Sequence, residues 1–134
     1  MFAMDEERRL TVERWLIKAD HDIKAANASL KLEPPLTDIA CFHAQQCAEK
    51  SLKAFLAFSD EHIEKTHDLA RLLGKCVKRD ASFESWKAVL FPLSDYAVTE
   101  RYPDDWREIP PDEAREAIGK AEKCMAFVKG KILF

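Results

Sequence analysis

Between Asp5 and Leu32 the apolar side chains Val12, Leu16, Ala19, Ile23, Ala26 and Leu30 recur at intervals of four and three. At 100° per residue that spacing gathers them on one narrow stripe, and it predicts a long amphipathic helix. Trp15 borders the stripe, while Arg14, Lys18, His21 and Ala25 fall opposite. Glu33-Pro34-Pro35 ends the segment, because proline lacks the N–H a helix needs and drives its predecessor out of the helical region. Thr37 is predicted to cap a second helix reaching about Phe58, with Asp38 suited to its positive first turn. Cys41, Ala44, Ala48, Leu52 and Phe55 cluster on one side of that helix, and His43, Gln46, Lys50 and Lys53 form a polar stripe on the other.

Thr66-His67-Asp68-Leu69-Ala70-Arg71-Leu72-Leu73-Gly74 carries a capping residue, an acidic first turn, a leucine cluster and a glycine stop. It predicts a shorter third helix, with room to continue to Val77 or Lys78. A fourth is expected over Ser82 to Val98, with Phe83, Trp86, Val89, Leu90, Leu93 and Ala97 inward and Pro92 kinking or splitting it. After a loop from Thr99 to Pro111, a last helix starting at Asp112 should bury Ala114, Ala117, Ile118, Ala121, Cys124, Met125, Val128 and Ile132. Its alanines would allow a close neighbour.

No segment alternates apolar and polar residues between turn signals, so no strand is predicted. With 134 residues and only three Gly and six Pro, the chain has length for one core and few places to turn. These features predict an all-α, antiparallel up-and-down bundle of about five helices with a four-helix core, a single domain over residues 1–134. Hydrophobic residues at 47% and charged residues at 34% exclude a disordered chain, and the formal charge of −3 excludes a global basic field for coating nucleic acid or membrane. Any basic site must be local. Cys41, Cys47, Cys76 and Cys124 show no C-x-x-C spacing, and the N-terminus is charged, so a reduced, cytoplasmic protein without a membrane span is expected.

The run Phe42-His43-Ala44-Gln45-Gln46-Cys47-Ala48-Glu49-Lys50-Ser51-Leu52-Lys53-Ala54 resembles the second helix of HEPN domains. Thr66-His67-Asp68-Leu69 with Leu72 and Leu73, then Thr99-Glu100-Arg101-Tyr102-Pro103-Asp104, follow in the order of that family's signatures. Trp15, Ala19 and Asp22 in the first helix fit as well, so the resemblance spans about residues 10 to 130. It implies a helical bundle similar to the substrate-binding helical part of nucleotidyltransferases, usually a homodimer. It also implies a separately encoded minimal nucleotidyltransferase as partner, in a toxin–antitoxin-like pair, with a nucleotide or RNA as ligand.

Other members of the resembled family are metal-independent endoribonucleases carrying an Arg, four to six residues, then His. Arg101 stands where that Arg is expected, yet no His follows it. Arg14 and His21 match the spacing formally but share the polar face of the first helix, a solvated surface by default. The chain therefore reads as a non-enzymatic phosphate-binding module, with a ribonuclease using Arg101 as the alternative and a purely structural dimeric bundle as a third reading.

The ligand-binding candidates are His43, Gln46, Lys50, Lys53, Arg101, Tyr102 and Asp104, with His67 and Asp68 secondary. Lysine meets phosphate as a point charge, Gln serves a base or ribose edge, Arg101 can fork onto phosphate and Tyr102 can stack on a base. Each feature has an equally plain structural reading. The stripe could face solvent, Glu49 and Lys53 are an ordinary i, i+4 pair, Arg101 and Asp104 could pin their loop, and Asp68 suits a helix N-terminus. Ile39 and Phe42 intrude on the polar stripe, which points to a cleft or a dimer interface there. No metal site and no cofactor are expected, since His43 and Cys47 find no second ligand pair.

Overall fold

In the computed structural model of the chain, which describes residues 5–97 and 106–133, helix α1 spans Glu6–Leu30. Asp5 caps it by accepting from the Arg8 N–H at 2.8 Å, and Glu6 and Glu7 suit the positive end of the helix. Val12, Ala19, Ile23 and Ala26 are buried as the spacing requires, with Trp15, Leu16 and Leu30 packed beside them. The helix stops two residues short of Leu32, where Lys31 N–H turns back to the Ala28 carbonyl ahead of the proline pair.

Helix α2 covers Thr37–Phe58. Leu36, not Thr37, is its cap residue, because the Leu36 carbonyl already accepts from Ala40 N–H and makes Thr37 the first helical position. The larger departure concerns its surroundings. From Ala44 to Ala57 every residue but Lys50 is buried, since α1, α3, α5 and a later turn pack around it. The small side chains Ala44, Cys47, Ala48, Ser51, Ala54 and Ala57 point to several sides and let neighbours approach closely. Gln46 and Lys53 are thus interior, and the predicted polar stripe is not a continuous outer face.

Helix α3, Leu69–Arg79, is capped by Asp68, whose carboxylate accepts from Arg71 N–H; Thr66 Oγ1 instead accepts from Asp68 N–H. It runs through Gly74 to a basic last turn at Lys78 and Arg79. The expected fourth helix is a broken element: a 3-10 turn at Ala81–Trp86, one α-turn at Lys87–Leu90 (α4) and a second 3-10 turn at Phe91–Ala97 holding Pro92. Asp80 caps it through Ser82, and Phe83, Leu90 and Leu93 are buried as predicted, so the phase of the pattern survives the break. Helix α5, Pro111–Lys131, starts with proline in its first turn and buries Ala114, Ala117, Ile118, Ala121, Cys124 and Val128. Ala114, Ala117 and Ala121 allow its close contact with α2. There is no strand among the described residues, and no described helix is long and apolar enough to cross a membrane.

Candidate functional site

Two buried carboxylates, Asp22 of α1 and Glu49 of α2, each gather cationic or imidazole partners. Asp22, on the otherwise apolar face of α1, is 7% exposed. Its Oδ1 lies 2.8 Å from His43 Nδ1 and its Oδ2 accepts from Lys50 Nζ at 2.5 Å. His43 and Lys50 are two turns apart on α2, so one α1 side chain ties both to the neighbouring helix. Their side chains remain 29% and 22% exposed, which leaves part of the imidazole and of the ammonium at the surface. Phe42 meets the His43 ring edge-on, with centroids 5.4 Å apart. The partial burial of Phe42 and Ile39 agrees with their intrusion on the polar stripe.

Glu49 forms the second centre, deeper in the bundle at 1% exposure. Lys53 Nζ donates to its Oε2 at 3.0 Å and sits 5.3 Å from the Trp15 ring centroid, a cation–π contact that adds to the pairing. His67 Nδ1 lies 2.9 Å from Oε1, which also receives a long 3.4 Å bond from Gln46 Nε2. Gln46 donates as well to Gln45 Oε1 at 2.6 Å, and Gln45 Nε2 donates to the His67 carbonyl at 3.3 Å. Every group of this network is partnered, as an interior polar cluster must be to avoid the penalty of unpaired burial. His67 is the one member largely at the surface, with its side chain 71% exposed.

Lys50 and Lys53 therefore do not converge. Lys50 belongs to the Asp22 centre with His43; Lys53 belongs to the Glu49 centre with Gln46 and His67, enclosed by Trp15. The ordinary surface pair expected of Glu49 and Lys53 is an interior one. Asp68 serves as the α3 cap. Sequence reasoning missed the anchoring roles of Asp22, Glu49 and Gln45. The small residues on all sides of α2 were the available sign that it runs through the middle of the bundle.

A HEPN domain profile matches residues 12–131. The chain belongs to the HEPN domain family. This HEPN chain is similar to TT1696 from Thermus thermophilus, a solved structure with 31% identity and a TM-score of 0.74, covering 90% of this chain and 97% of that one. It is also similar to ST0689, a solved archaeal HEPN homologue, at 27% identity and a TM-score of 0.63, covering 91% and 98% of the two chains. MJ1304 of Methanocaldococcus jannaschii, provisionally named a toxin, is 24% identical over 130 residues, covering 86% of this chain and 84% of that protein.

Arg101, Tyr102 and Asp104 of the HEPN chain lie outside the described residues. The residues flanking that segment meet at α5: Tyr96 Oη donates to Glu113 Oε2 at 2.5 Å, and Arg107 forks onto both Glu113 oxygens at 3.0 and 2.5 Å. The Arg107 guanidinium first, and the Tyr96 hydroxyl second, hold the Glu113 carboxyl below its usual range. Burial and the bond to Glu113 raise the Tyr96 phenol. The four cysteines are free and buried, and burial pushes Cys41 up to about 11 and Cys47 and Cys76 up to about 12, so none is a ready nucleophile. No group of three or more metal-ligating side chains occurs among the described residues.

Proposed function

We propose that this HEPN chain is a helical module that binds the phosphate of a nucleotide or nucleic acid, and that it works beside a separately encoded minimal nucleotidyltransferase in a toxin–antitoxin-like pair. One observation carries the reading: the buried Asp22 carboxylate fixes His43 and Lys50 together while both stay partly exposed. Each spends a bond on Asp22, and the lysine keeps further N–H donors for an incoming phosphate oxygen. Holding the two side chains in place beforehand reduces the ordering cost of binding.

Titration calorimetry with ATP and with a short single-stranded RNA tests it. Lys50→Ala should weaken binding about tenfold or more, the worth of one charge-assisted hydrogen bond. Absence of heat at millimolar ligand, with the nucleotidyltransferase present, would overturn the proposal. Co-purification of the two proteins tests the partnership, and light scattering tests the homodimer that the family resemblance implies.

Metal-independent RNA cleavage is the second reading, and a specific observation favours it. His43 backed by Asp22 is an imidazole held in place by a carboxylate, as a general base must be held. RNA degraded in the presence of chelator, and left intact by His43→Ala or Arg101→Ala protein, would establish that reading in place of the first.

A further inference from the structure

The face of α1 turned away from the core is not the plain polar surface that its helical phase calls for. Leu10, Arg14, Ile17, His21 and Lys24 follow one another at intervals of four and three, opposite the buried Val12, Ala19, Ile23 and Ala26. Leu10 and Ile17 lie on this outer line two turns apart and stand 39% and 53% exposed. One exposed aliphatic side chain is ordinary; two at i, i+7 on one line make an apolar ridge facing water.

The charge beside the ridge is one-sided. Arg14 lies between the two aliphatics and Lys18 just beyond Ile17; both are exposed, and neither has a carboxylate partner among the described residues. The carboxylates flanking the ridge are already engaged, since Glu13 accepts from Arg9 at 3.2 Å and Asp20 pairs with Lys24 at 2.9 Å. Lys129 of α5 adds to the positive field on Asp20. Glu6 and Glu7 precede the ridge and belong to the positive end of the helix. What the ridge lacks is an apolar strip carrying carboxylates of its own, and an acidic amphipathic helix supplies both.

Two other occupants fit less well. A second copy set antiparallel so that Leu10 meets Ile17 brings Lys18 opposite Arg9 and Asp20 opposite Glu7, like charge against like. Its Arg14–Glu13 meeting competes with the Glu13–Arg9 pair already made. An anionic bilayer takes up a helix with a continuous apolar face, and two aliphatics over four turns are too few.

We propose that the outer face of α1 from Leu10 to Lys24 is a docking ridge for an acidic amphipathic helix of a partner protein. The partner's apolar side chains seat on Leu10 and Ile17, and its carboxylates meet Arg14 and Lys18. Fourteen rises of 1.5 Å make the ridge about 21 Å long, room for about four turns of the partner. A contact of that size gives a transient, micromolar complex. The ridge lies on the opposite side of α1 from Asp22, and the proposal does not depend on phosphate binding.

Fluorescence anisotropy of the full chain tests it with a labelled synthetic helix of about 20 residues, leucine and alanine on one face and glutamates flanking them. A second peptide carries lysine in place of every glutamate. The acidic peptide should bind at micromolar Kd and weaken with added salt, and the lysine peptide should not bind. Ile17→Glu should weaken the acidic peptide about tenfold or more. Arg14→Glu with Lys18→Glu should lose the acidic peptide and gain the lysine one, a reversal that mere damage to the fold does not produce; the substituted positions are exposed, and thermal melts check folding. Failure of the acidic peptide to bind, equal binding of the two peptides, or an unchanged preference in the charge-reversed variant would overturn the proposal. Light scattering in which Ile17→Glu converts a dimer to a monomer would overturn it in favour of a second copy. Sedimentation with phosphatidylglycerol vesicles that Ile17→Glu abolishes would overturn it in favour of a membrane.

Discussion

Glu49 is the side chain on which the interior polar network turns, because it accepts from Lys53, His67 and Gln46 at once while almost wholly removed from water. Removing its ammonium partner leaves the buried Glu49 carboxylate with His67 and Gln46 as its remaining hydrogen-bond partners. Lys53→Met should therefore cost about 3–5 kcal/mol of unfolding free energy, as breaking a buried pair does, measured by urea denaturation. Adding Glu49→Leu to that variant should recover most of the loss, since both desolvation penalties then disappear and apolar groups of similar size remain. A double mutant no more stable than the single one would show that the pair is not the stabilising unit. The Glu49–Lys53 pairing was legible from the chain as an i, i+4 pair, whereas its burial and its His67 and Trp15 neighbours were not. Helical spacing says which residues share a face of α2, but whether Lys53 meets water, a ligand or the Trp15 ring depends on where α1 crosses it.

At the scale of the element, the helices themselves were the most legible feature, because apolar spacing and proline or capping residues act within a few positions of one another. The departures came where a local signal had a rival. Asp68 displaced Thr66 as cap of α3 because its side chain reaches the Arg71 N–H. Pro92 and its neighbours tightened the fourth segment into 3-10 turns without moving Phe83, Leu90 or Leu93 out of the core. Gly74 was read as a place where α3 could stop, with continuation to Val77 or Lys78 left open, and the helix passes through it to Arg79. A Cβ there would have no neighbour within 4 Å, and the same holds for Gly119 inside α5, so neither glycine is needed for close approach. Each is then a helix-interior glycine that gives up backbone entropy for no packing return. Gly74→Ala and Gly119→Ala should each raise stability by about 0.5–1 kcal/mol, and the two should add because the sites are on separate helices. Thermal melts of the two single variants and the double variant check both statements. A loss at Gly74 would mean that the α3 surface is covered in solution.

For the whole molecule, the near-zero net charge conceals an uneven arrangement: carboxylates are drawn into the α1/α2 seam and into a belt of ion pairs that ties the 59–80 region together. Family resemblance in the sequence was enough for the fold, because three ordered motifs span most of the chain. The seam was not readable, since it is made by residues 21 and 28 positions apart that no local pattern links. The belt was equally hidden, and it has a measurable consequence. Glu64 accepts from Arg71 and Lys75, which hold its carboxyl down to about 2 from an ordinary 4.5. Asp80, bonded to Ser82 and to Lys131 of α5, is likewise held to about 2 from 3.8. In both, the folded chain keeps the charge to lower pH than the unfolded chain, so on acidification the unfolded state takes up protons first. Their contribution is complete above about pH 5 and is lost as the pH falls toward 2, the direction of a depressed carboxylate. The urea midpoint should accordingly be steady from about pH 7 to about pH 5 and then decline. Glu64→Gln should flatten part of that decline while lowering the neutral-pH midpoint slightly, since the pair is solvent-screened. A decline of undiminished slope in the variant would place the acid sensitivity elsewhere, with Asp80 and its link from α5 to the start of the fourth segment as the next residue to substitute.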